Sequence, residues 1–386
     1  MSYKKKVIII GPAYPLRGGL ASYDERLAKE FNQHDFDTTI YTFSLQYPGF
    51  LFPGTTQYSS EPAPAGLKIK VCINSINPLN WIKIGNELKK IKPEIIVVRY
   101  WLPFMGACLG TILRRVKKNN YTKIVCIADN ILPHEKRIAD ATLTKYFLKP
   151  VEAFITMSEK VLADLRMFAK NKPAQFVPHP LYDNFGEKIS KEEARSKLKI
   201  NNEELIILFF GFIRKYKGLD ILLDAMKILK ENPISIAIGT QISNLKLLIA
   251  GEFYEDEKPY LEQINRLGIH DGVILRTGFI PDSEVRYYLC SADAVIQPYR
   301  NATQSGVTPL AYYFERPMIV TNVGGLPSLV PNEKAGLVTE PTAQSIANAI
   351  VRFYQLGENY FLPHLRSEKK KYSWSHLVNA IKQLAH

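Results

Sequence analysis

The chain has 386 residues, 46% of them hydrophobic and 23% charged, which excludes disorder over its whole length and favours two domains. It has no export signal, no apolar run of the roughly 20 residues that a bilayer-spanning helix needs, and no C-x-x-C pair or zinc-ligand spacing among its four cysteines, so we expect a cytoplasmic protein with reduced, buried thiols and no metal. The net charge of +13 predicts an anionic partner, either a polyphosphate substrate or an anionic membrane face; nucleic acid is disfavoured because no known reader motif occurs.

Short apolar runs rich in β-branched residues alternate along the chain with longer segments of helical periodicity. The predicted strands of the first half are Val7–Ile10, Thr39–Phe43, Ile69–Ile73, Ile95–Arg99, Ile124–Ala128 and Ala153–Thr156. Those of the second half are Leu205–Phe210, Leu245–Ala250, Val273–Arg276, Ala294–Gln297 and Met318–Thr321. The predicted helices include Leu20–Phe31, Trp81–Ile91, Glu192–Leu198, Leu219–Leu229, Tyr260–Leu267, Ile346–Leu356 and Ser373–Leu384. Continuous apolar strands between amphipathic helices predict parallel sheets covered on both faces.

The alternation occurs twice, and a polar stretch rich in turn residues, 178–191, separates the two halves. We therefore predict an α/β fold of two Rossmann-like domains, residues 1–186 and 187–371, with a last helix over 372–386 that packs back on the first domain. Ligands of open α/β sheets bind beyond the carboxyl ends of the strands. Two such sheets that face each other form a cleft, a common ligand location, so functional motifs should stand directly after strands.

A glycine pair follows the first strand in the sequence GPAYPLRGG, residues 11–19. Gly18 and Gly19 open a helix and allow backbone N–H groups to approach an anion or a sugar closely, and Arg17 adds a cation. The segment lacks the G-x-G-x-x-G pattern, which disfavours an NAD-dependent dehydrogenase. Plain turn glycines are the alternative interpretation.

Polar side chains also follow the fifth strand, in ADNILPHEK, residues 128–136. Polar residues just past a buried strand are candidates for an active site, so we predict that Asp129, Asn130 and His134 orient the sugar or the acceptor. A structural histidine is the alternative at position 134.

The second half opens in a similar way, with FGFIRKYKGL over residues 210–219. A buried strand ends at Gly211, three cations follow, and a helix begins at Gly218. Arg214 and Lys217 are therefore candidates to hold a diphosphate over that helix N-terminus, where charge-assisted hydrogen bonds are strong. A solvated basic loop is the alternative.

A third candidate loop, PYRNATQSGV over residues 298–307, follows the strand Ala294–Gln297. Its small and polar residues at a predicted helix start could bind a phosphate or sugar hydroxyls through backbone N–H groups. They are Thr303, Gln304, Ser305, Gly306 and Val307. A simple capping loop is the alternative. Downstream, the turn TNVGGLP at 321–327 ends another strand.

Together these motifs resemble those of GT-B glycosyltransferases of the retaining family 4 type, the glycosyl transferases group 1, over nearly the whole chain. The specific pieces are the glycine pair at 18–19, FGFIRKYKG at 210–218, QSG at 304–306 with GGLP at 324–327, and the terminal Ser373-Trp374. The sequence A-T-Q-S-G is similar to that of a bacterial branch of the family.

The resemblance implies transfer from a nucleotide diphosphate sugar to a glycan or lipid-linked acceptor, with retention of configuration, in bacterial surface polysaccharide biosynthesis. Lys217 and Arg214 would hold the diphosphate beside Gly211, and the loop from Thr303 to Val307 would meet the donor. Gly19 would lie close to the donor phosphates or the acceptor, with Arg17 and Gly18 on the acceptor side. No metal or other cofactor is implied, because cations and helix N-termini neutralise the leaving group.

The sequence departs from the family pattern at four positions. The family usually carries two glutamates eight positions apart around the third loop, where this chain has Thr303 and Ala311. Ala311 has no group to bond a ribose, while Thr303 or Gln304 is a candidate substitute for the sugar-contacting carboxylate. Phe212 stands where an arginine usually follows the glycine, and Asp129 stands where a histidine is often found.

Two rival functions remain open. A GT-B nucleotide-sugar epimerase would consume the donor without an acceptor, although it needs acid/base carboxylates of which few are evident. A catalytically inactive assembly factor that binds a nucleotide sugar would also explain the missing glutamates.

Overall fold

The computed structural model describes residues 4–49, 56–132, 139–232, 235–237, 240–241, 244–302 and 305–385. The chain divides into two compact units. Unit 1 contains Met1–Pro180 together with Ser373–His386, and unit 2 contains Leu181–Tyr372. The division therefore falls a few residues before the predicted boundary at 186/187.

Unit 1 is built on a seven-stranded sheet of order β3-β2-β1-β4-β5-β6-β7 in which every neighbouring pair is parallel. Its strands are β1 (Lys6–Ile10), β2 (Asp37–Leu45), β3 (Lys68–Asn74), β4 (Ile95–Tyr100), β5 (Lys123–Ala128), β6 (Ala153–Thr156) and β7 (Ala174–Phe176). The helices between them are α1 (Gly19–Gln33), α2 (Pro78–Ile91), α3 (Gly106–Lys117), α4 (Asp140–Leu148) and α5 (Glu159–Phe168). Because all strands are parallel, the loops after their carboxyl ends share one edge of the sheet.

The central strands of unit 1 are almost wholly apolar because helices cover both faces of the sheet. All six residues of β4 are buried, and the side chains of Ile96 and Val98 belong to the main hydrophobic core. Arg99 is the exception: a guanidinium inside this buried strand requires a compensating charge, which Asp129 supplies at 2.6 Å, and Asp24 lies 3.4 Å from the same guanidinium.

Unit 2 has a six-stranded parallel sheet of order β12-β11-β8-β13-β14-β15 and a separate antiparallel pair, β10-β9. Its strands are β8 (Leu205–Phe210), β9 (Ser235–Ala237), β10 (Thr240–Gln241), β11 (Leu245–Ala250), β12 (Val273–Arg276), β13 (Ala294–Gln297), β14 (Met318–Thr321) and β15 (Gly336–Thr339). Its helices are α6 (Lys191–Leu198), α7 (Leu219–Glu231), α8 (Lys258–Leu267), α9 (Val285–Ser291), α10 (Val307–Tyr313), α11 (Leu326–Leu329), α12 (Ala343–Leu356) and α13 (Glu358–Glu368). The prediction of two α/β domains on parallel sheets is confirmed.

The last helix, α14 (Trp374–Ala385), packs on α1 within unit 1. The Trp374 ring lies 4.8 Å from the Tyr23 ring between centroids, and the Arg26 guanidinium lies 5.1 Å from the Trp374 ring. Ser375 Oγ donates a 2.5 Å hydrogen bond to Glu30 Oε1. No helix in the described part of the chain has the length and apolar character needed to cross a bilayer.

Candidate functional site

Lys217 lies at the centre of the predicted site residues of unit 2. A Cβ atom built on Gly211 would lie 3.4 Å from Lys217 Nζ and 3.7 Å from Val307 Cγ2. The ring centroid of Tyr299 lies 5.7 Å from the same Nζ atom. The segments that follow β8 and β13 therefore meet at one place, although about ninety residues separate them in sequence.

The ammonium group of Lys217 has no anionic partner in the part of the chain that the structure describes. The side chain is 8% exposed, and no described residue accepts a hydrogen bond from Nζ. Burial, and secondarily the Arg214 guanidinium, lower the pKa of Lys217 from 10.5 to about 7. A buried lysine that lacks a counter-charge is unfavourable by itself, so the arrangement is suited to receive an anion.

Gly218 fixes the N-terminus of α7 against the end of β13. Its φ of 69° is in the left-handed region, and a Cβ at this position would lie 2.0 Å from the carbonyl oxygen of Pro298. Only glycine fits, so the unpaired N–H groups of the first turn of α7 stay next to Lys217. The positive end of the helix dipole thereby adds to the lysine charge.

We expect Gly218→Ala to destabilise unit 2 by more than the roughly 1–3 kcal/mol that a left-handed alanine costs, because the methyl group also collides with Pro298. Gly268→Ala is the matched control: its φ is 63°, but a Cβ there would meet nothing within 4 Å. Chemical denaturation of both variants, followed by a probe in unit 2, measures the difference. Equal losses of stability would show that the contact with Pro298 is not limiting.

The structure describes only part of the third predicted loop, residues 298–307. Thr303 and Gln304 lie outside the described residues, so their role stays a prediction. Ser305 is buried, and its Oγ atom accepts a 3.2 Å hydrogen bond from the Val307 amide while lying 3.4 Å from the Tyr299 hydroxyl. The helix that follows begins at Val307, with Gly306 as its N-cap, so Ser305 directly precedes the helix start.

Among the described residues, packing does not require a glycine at position 306. Of those residues, a Cβ there would approach only Tyr182 Cε2, at 3.9 Å, and the φ of Gly306 is −69°. The close approach of a ligand to Gly306 stays a prediction. Ala311 is fully buried in α10, so its position offers no polar group to a ligand.

Arg214 is exposed directly before the turn Lys215–Lys217, and no described residue forms a salt bridge with it. Its guanidinium lies 5.1 Å from the ring of Tyr254. Phe212, at the position of the usual family arginine, stacks on the same ring with centroids 4.1 Å apart. Sequence analysis missed Tyr254 and Tyr299, because aromatic residues after a strand are indistinguishable from core residues without coordinates.

In unit 1, the structure gives Asp129 a partner that the sequence analysis did not foresee. Arg99 Nε and Nη2 each donate a 2.6 Å hydrogen bond to its carboxylate, and both side chains are buried. Both carboxylate oxygens are thus engaged, and this geometry favours a structural role over the predicted orienting one. A charged residue within the strand IIVVRY was the signal available in the sequence.

A second aspartate completes this buried cluster. Arg99 Nη1 lies 3.4 Å from Asp24 Oδ1, and the guanidinium stacks on Tyr23 at 3.8 Å. Burial is the main cause that raises the pKa of Asp24 to about 8, opposed by Arg99. Burial also lowers the pKa of the neighbouring His179, whose ring meets Tyr23 edge-on, to about 3.

The other predicted residues of unit 1 are placed as follows. Gly18, with a φ of 101°, caps α1, and Gly19 is its exposed first residue. Arg17 is tied to the chain beside it, because its Nε donates to the Thr56 carbonyl at 2.7 Å and its amide to the Gln57 carbonyl. Asn130 is half-buried beside Asp129, and His134 lies outside the described residues.

Comparison with known proteins finds a family match in the second half of the chain and curated relatives that are similar over part of its length. Residues 190–366 match the family described as Glycosyl transferases group 1. A protein of Bacillus subtilis (strain 168), named putative teichuronic acid biosynthesis glycosyltransferase TuaC, is 26% identical over 168 residues, 44% of this chain and 38% of the relative. The chain spans less than half the length of several curated relatives that it matches.

Solved structures match the whole chain. Sucrose-phosphate synthase from Thermosynechococcus elongatus has a TM-score of 0.74 at 16% identity, covering 99% of this chain and 98% of that one. Anabaena Alr3699/HepE in complex with UDP-glucose has a TM-score of 0.72 at 15% identity, covering 98% of both chains. At these identities the likeness shows the fold.

Proposed function

We propose that this chain transfers a sugar from a nucleotide diphosphate sugar to a glycan or lipid-linked acceptor, with retention of configuration. Residues 190–366 match the glycosyl transferases group 1 family, and the fold is the predicted GT-B fold. The observation that carries the proposal is the ammonium of Lys217, buried without an acidic partner in the described structure, beside Gly211 and the first turn of α7. A diphosphate supplies the charge that this position lacks.

On the donor side, Lys217 and the N–H groups of the first turn of α7 bind the diphosphate. The exposed guanidinium of Arg214 binds it from the solvent side. The donor's sugar or phosphate oxygens approach beside Gly306, where a Cβ atom would meet only Tyr182 Cε2, at 3.9 Å, among the described residues, and beside Val307 at the start of α10. UDP-glucose is the ligand named for the HepE structure, which supports a nucleotide sugar as the donor class.

In the transfer step, the bond between the anomeric carbon and the diphosphate oxygen breaks, and the acceptor hydroxyl attacks the same face of the sugar. The leaving phosphate takes the acceptor's proton, so the step needs no side-chain base. Lys217, Arg214 and the α7 dipole stabilise the charge that develops on the leaving group. We propose no metal or other cofactor, because Lys217 and Arg214 neutralise the charge of the leaving diphosphate.

On the acceptor side, we propose that Arg17, Gly18, Asn130 and His134 contact the acceptor. Asp129 acts through Arg99 as a positioning residue for its loop. The name of the Bacillus subtilis relative supports surface polysaccharide synthesis as the setting.

A thermal-shift screen of UDP-, GDP-, ADP- and CMP-sugars tests the donor class. At a concentration 100 times its Kd, the correct donor should stabilise the protein by about 2.7 kcal/mol, which raises the melting temperature by several degrees. Inorganic pyrophosphate serves as a control for binding that needs no nucleoside. If no nucleotide sugar or nucleotide shifts the transition, the proposed function is wrong.

An inactive nucleotide-sugar-binding factor is the second candidate, favoured by the missing glutamate at Ala311. It would bind the donor in the same screen, yet release no nucleoside diphosphate with any acceptor. Incubation with the donor alone separates the epimerase alternative, which would convert the sugar without an acceptor.

A further inference from the structure

Two large aliphatic side chains stand exposed at one end of unit 1. The four residues from Ile76 to Leu79 run from the connection after β3 into the first turn of α2, and all are exposed; Ile76 retains 51% and Leu79 77% of its accessible surface. Single exposed aliphatic residues are common, but two that lie three positions apart at the start of one helix form an apolar tip that water solvates poorly.

The tip is held in place by its surroundings. Asn77 caps α2, because its Oδ1 accepts hydrogen bonds from the amides of Leu79 and Asn80 at 3.0 and 3.2 Å. Trp81 Nε1 donates a 2.7 Å hydrogen bond to the carbonyl of Asn74. Ile76 and Leu79 are therefore presented to solvent by an ordered turn.

Cations accompany the apolar tip along α2. Leu79, Lys83, Asn86 and Lys90 are exposed and recur at the spacing of one helix face. Among the described residues, neither lysine forms a salt bridge. The single acidic residue of α2, Glu87, bonds Lys70 Nζ at 2.5 Å, and against the effect of burial its pKa is lowered by hydrogen bonds from Lys70 and Tyr41 and by the charges of Lys70 and Lys83. This face thus combines aliphatic groups with a surplus of positive charge.

The position of this face in unit 1 relates it to the predicted acceptor side. Ile76 and Leu79 follow the carboxyl end of the edge strand β3, which ends at Asn74. In a parallel sheet, this is the edge that also carries the loops containing Gly18 and Asn130.

We propose that Ile76, Leu79, Lys83 and Lys90, here called the α2 docking face, bind the surface of an anionic lipid bilayer. Aliphatic side chains enter the boundary between headgroups and acyl chains, while the lysines pair with lipid phosphates. The surplus positive charge of this face and the net charge of +13 favour an anionic bilayer over a protein partner. The consequence for a lipid-linked acceptor rests on the proposed function, whereas the binding itself does not.

Flotation of the full chain with vesicles tests this proposal. We expect binding to phosphatidylcholine vesicles that contain about a third phosphatidylglycerol, and little binding to phosphatidylcholine alone. Each lysine near an anionic surface strengthens binding roughly five-fold, so Lys83→Gln with Lys90→Gln should weaken it roughly twenty-five-fold. Ile76→Ser with Leu79→Ser should weaken it at least about ten-fold even at low salt, because the loss is apolar.

Met167→Ser is the matched control, because Met167 is 65% exposed on α5 of the same unit. It should bind vesicles like the wild type, and all variants should keep the wild-type melting temperature. Equal binding by the wild type and both double variants, or no binding by the wild type, would overturn the proposal. The donor-induced thermal shift should persist in every variant, so failure here is distinguishable from failure of the proposed function.

Discussion

Lys217→Met should weaken nucleotide-sugar binding about ten- to hundred-fold and lower turnover with it. Methionine keeps the length of the side chain but removes the charge-assisted hydrogen bond to the diphosphate, which is worth about 1.5–3 kcal/mol. Because the leaving diphosphate carries more charge in the transition state than in the donor, kcat should fall in addition to the loss of affinity. Calorimetric titration with the donor and initial-rate measurements separate the two effects.

The same lysine gives donor binding a pH dependence of predictable sign. Lys217 has a pKa of about 7 in the unliganded protein, below its ordinary 10.5. A bound diphosphate favours the charged form, so binding takes up a proton above pH 7. Affinity should level off below pH 7 and fall by up to about ten-fold per pH unit above it.

In the absence of donor, Lys217 also makes folding stability depend on pH. Between pH 7 and 10.5 this lysine binds a proton in the unfolded chain but not in the folded protein, so its contribution to stability should rise with pH in that window.

Two controls distinguish this role from a general effect of basic charge. Lys215→Met removes an exposed cation from the same turn and should alter affinity only slightly. Lys217→Met should lose the pH dependence above pH 7, whereas Lys215→Met should keep it. A donor affinity that is unchanged in well-folded Lys217→Met would remove this residue from the site.

Sequence reasoning predicted the framework because the signals it used are local. Eleven strands were predicted, and the structure has a strand at each of these positions. A short, continuous apolar run between two helices is typical of a parallel strand that is covered on both faces. The strands β7, β9, β10 and β15 were missed because none of their sequences, AQF, SIA, TQ and GLVT, has three consecutive large apolar residues, as the predicted short strand β12 (VILR) has. The placement of Gly211, Lys217 and Val307 follows from the rule that loops gather at the carboxyl edge.

The chemistry of unit 1 was harder to predict because it depends on pairings between distant positions. Asp129 looked like a free carboxylate after a strand, but its partner Arg99 lies thirty residues earlier, and Asp24 lies seventy-five residues before Arg99. Periodicity does not reveal which side chains of neighbouring strands meet. The buried arginine was the available warning, because a charge in a fully covered strand must be compensated nearby.

Arg99→Met should destabilise unit 1 by about 3–5 kcal/mol, because it leaves the Asp129 carboxylate buried without its cation. Urea denaturation followed by a probe in unit 1 measures the loss. Arg114→Met is the matched control: its guanidinium also stacks on a tyrosine, 3.6 Å from the Tyr146 ring, but bonds a backbone carbonyl instead of a carboxylate. That variant should lose far less.

A second substitution shows whether charge is the cause. Adding Asp129→Asn to Arg99→Met removes the uncompensated carboxylate and should restore part of the stability, giving a coupling energy of about 1–3 kcal/mol.

The stability of the wild type should also depend on pH through Asp24, which holds a proton in the folded state up to about pH 8 but loses it near pH 4 when unfolded. Stability from this group should therefore decline as pH rises from 4 to 8, and Asp24→Asn should abolish the decline. Additive losses in the double variant, with no pH effect of Asp24→Asn, would mean that the cluster acts by packing and not by charge.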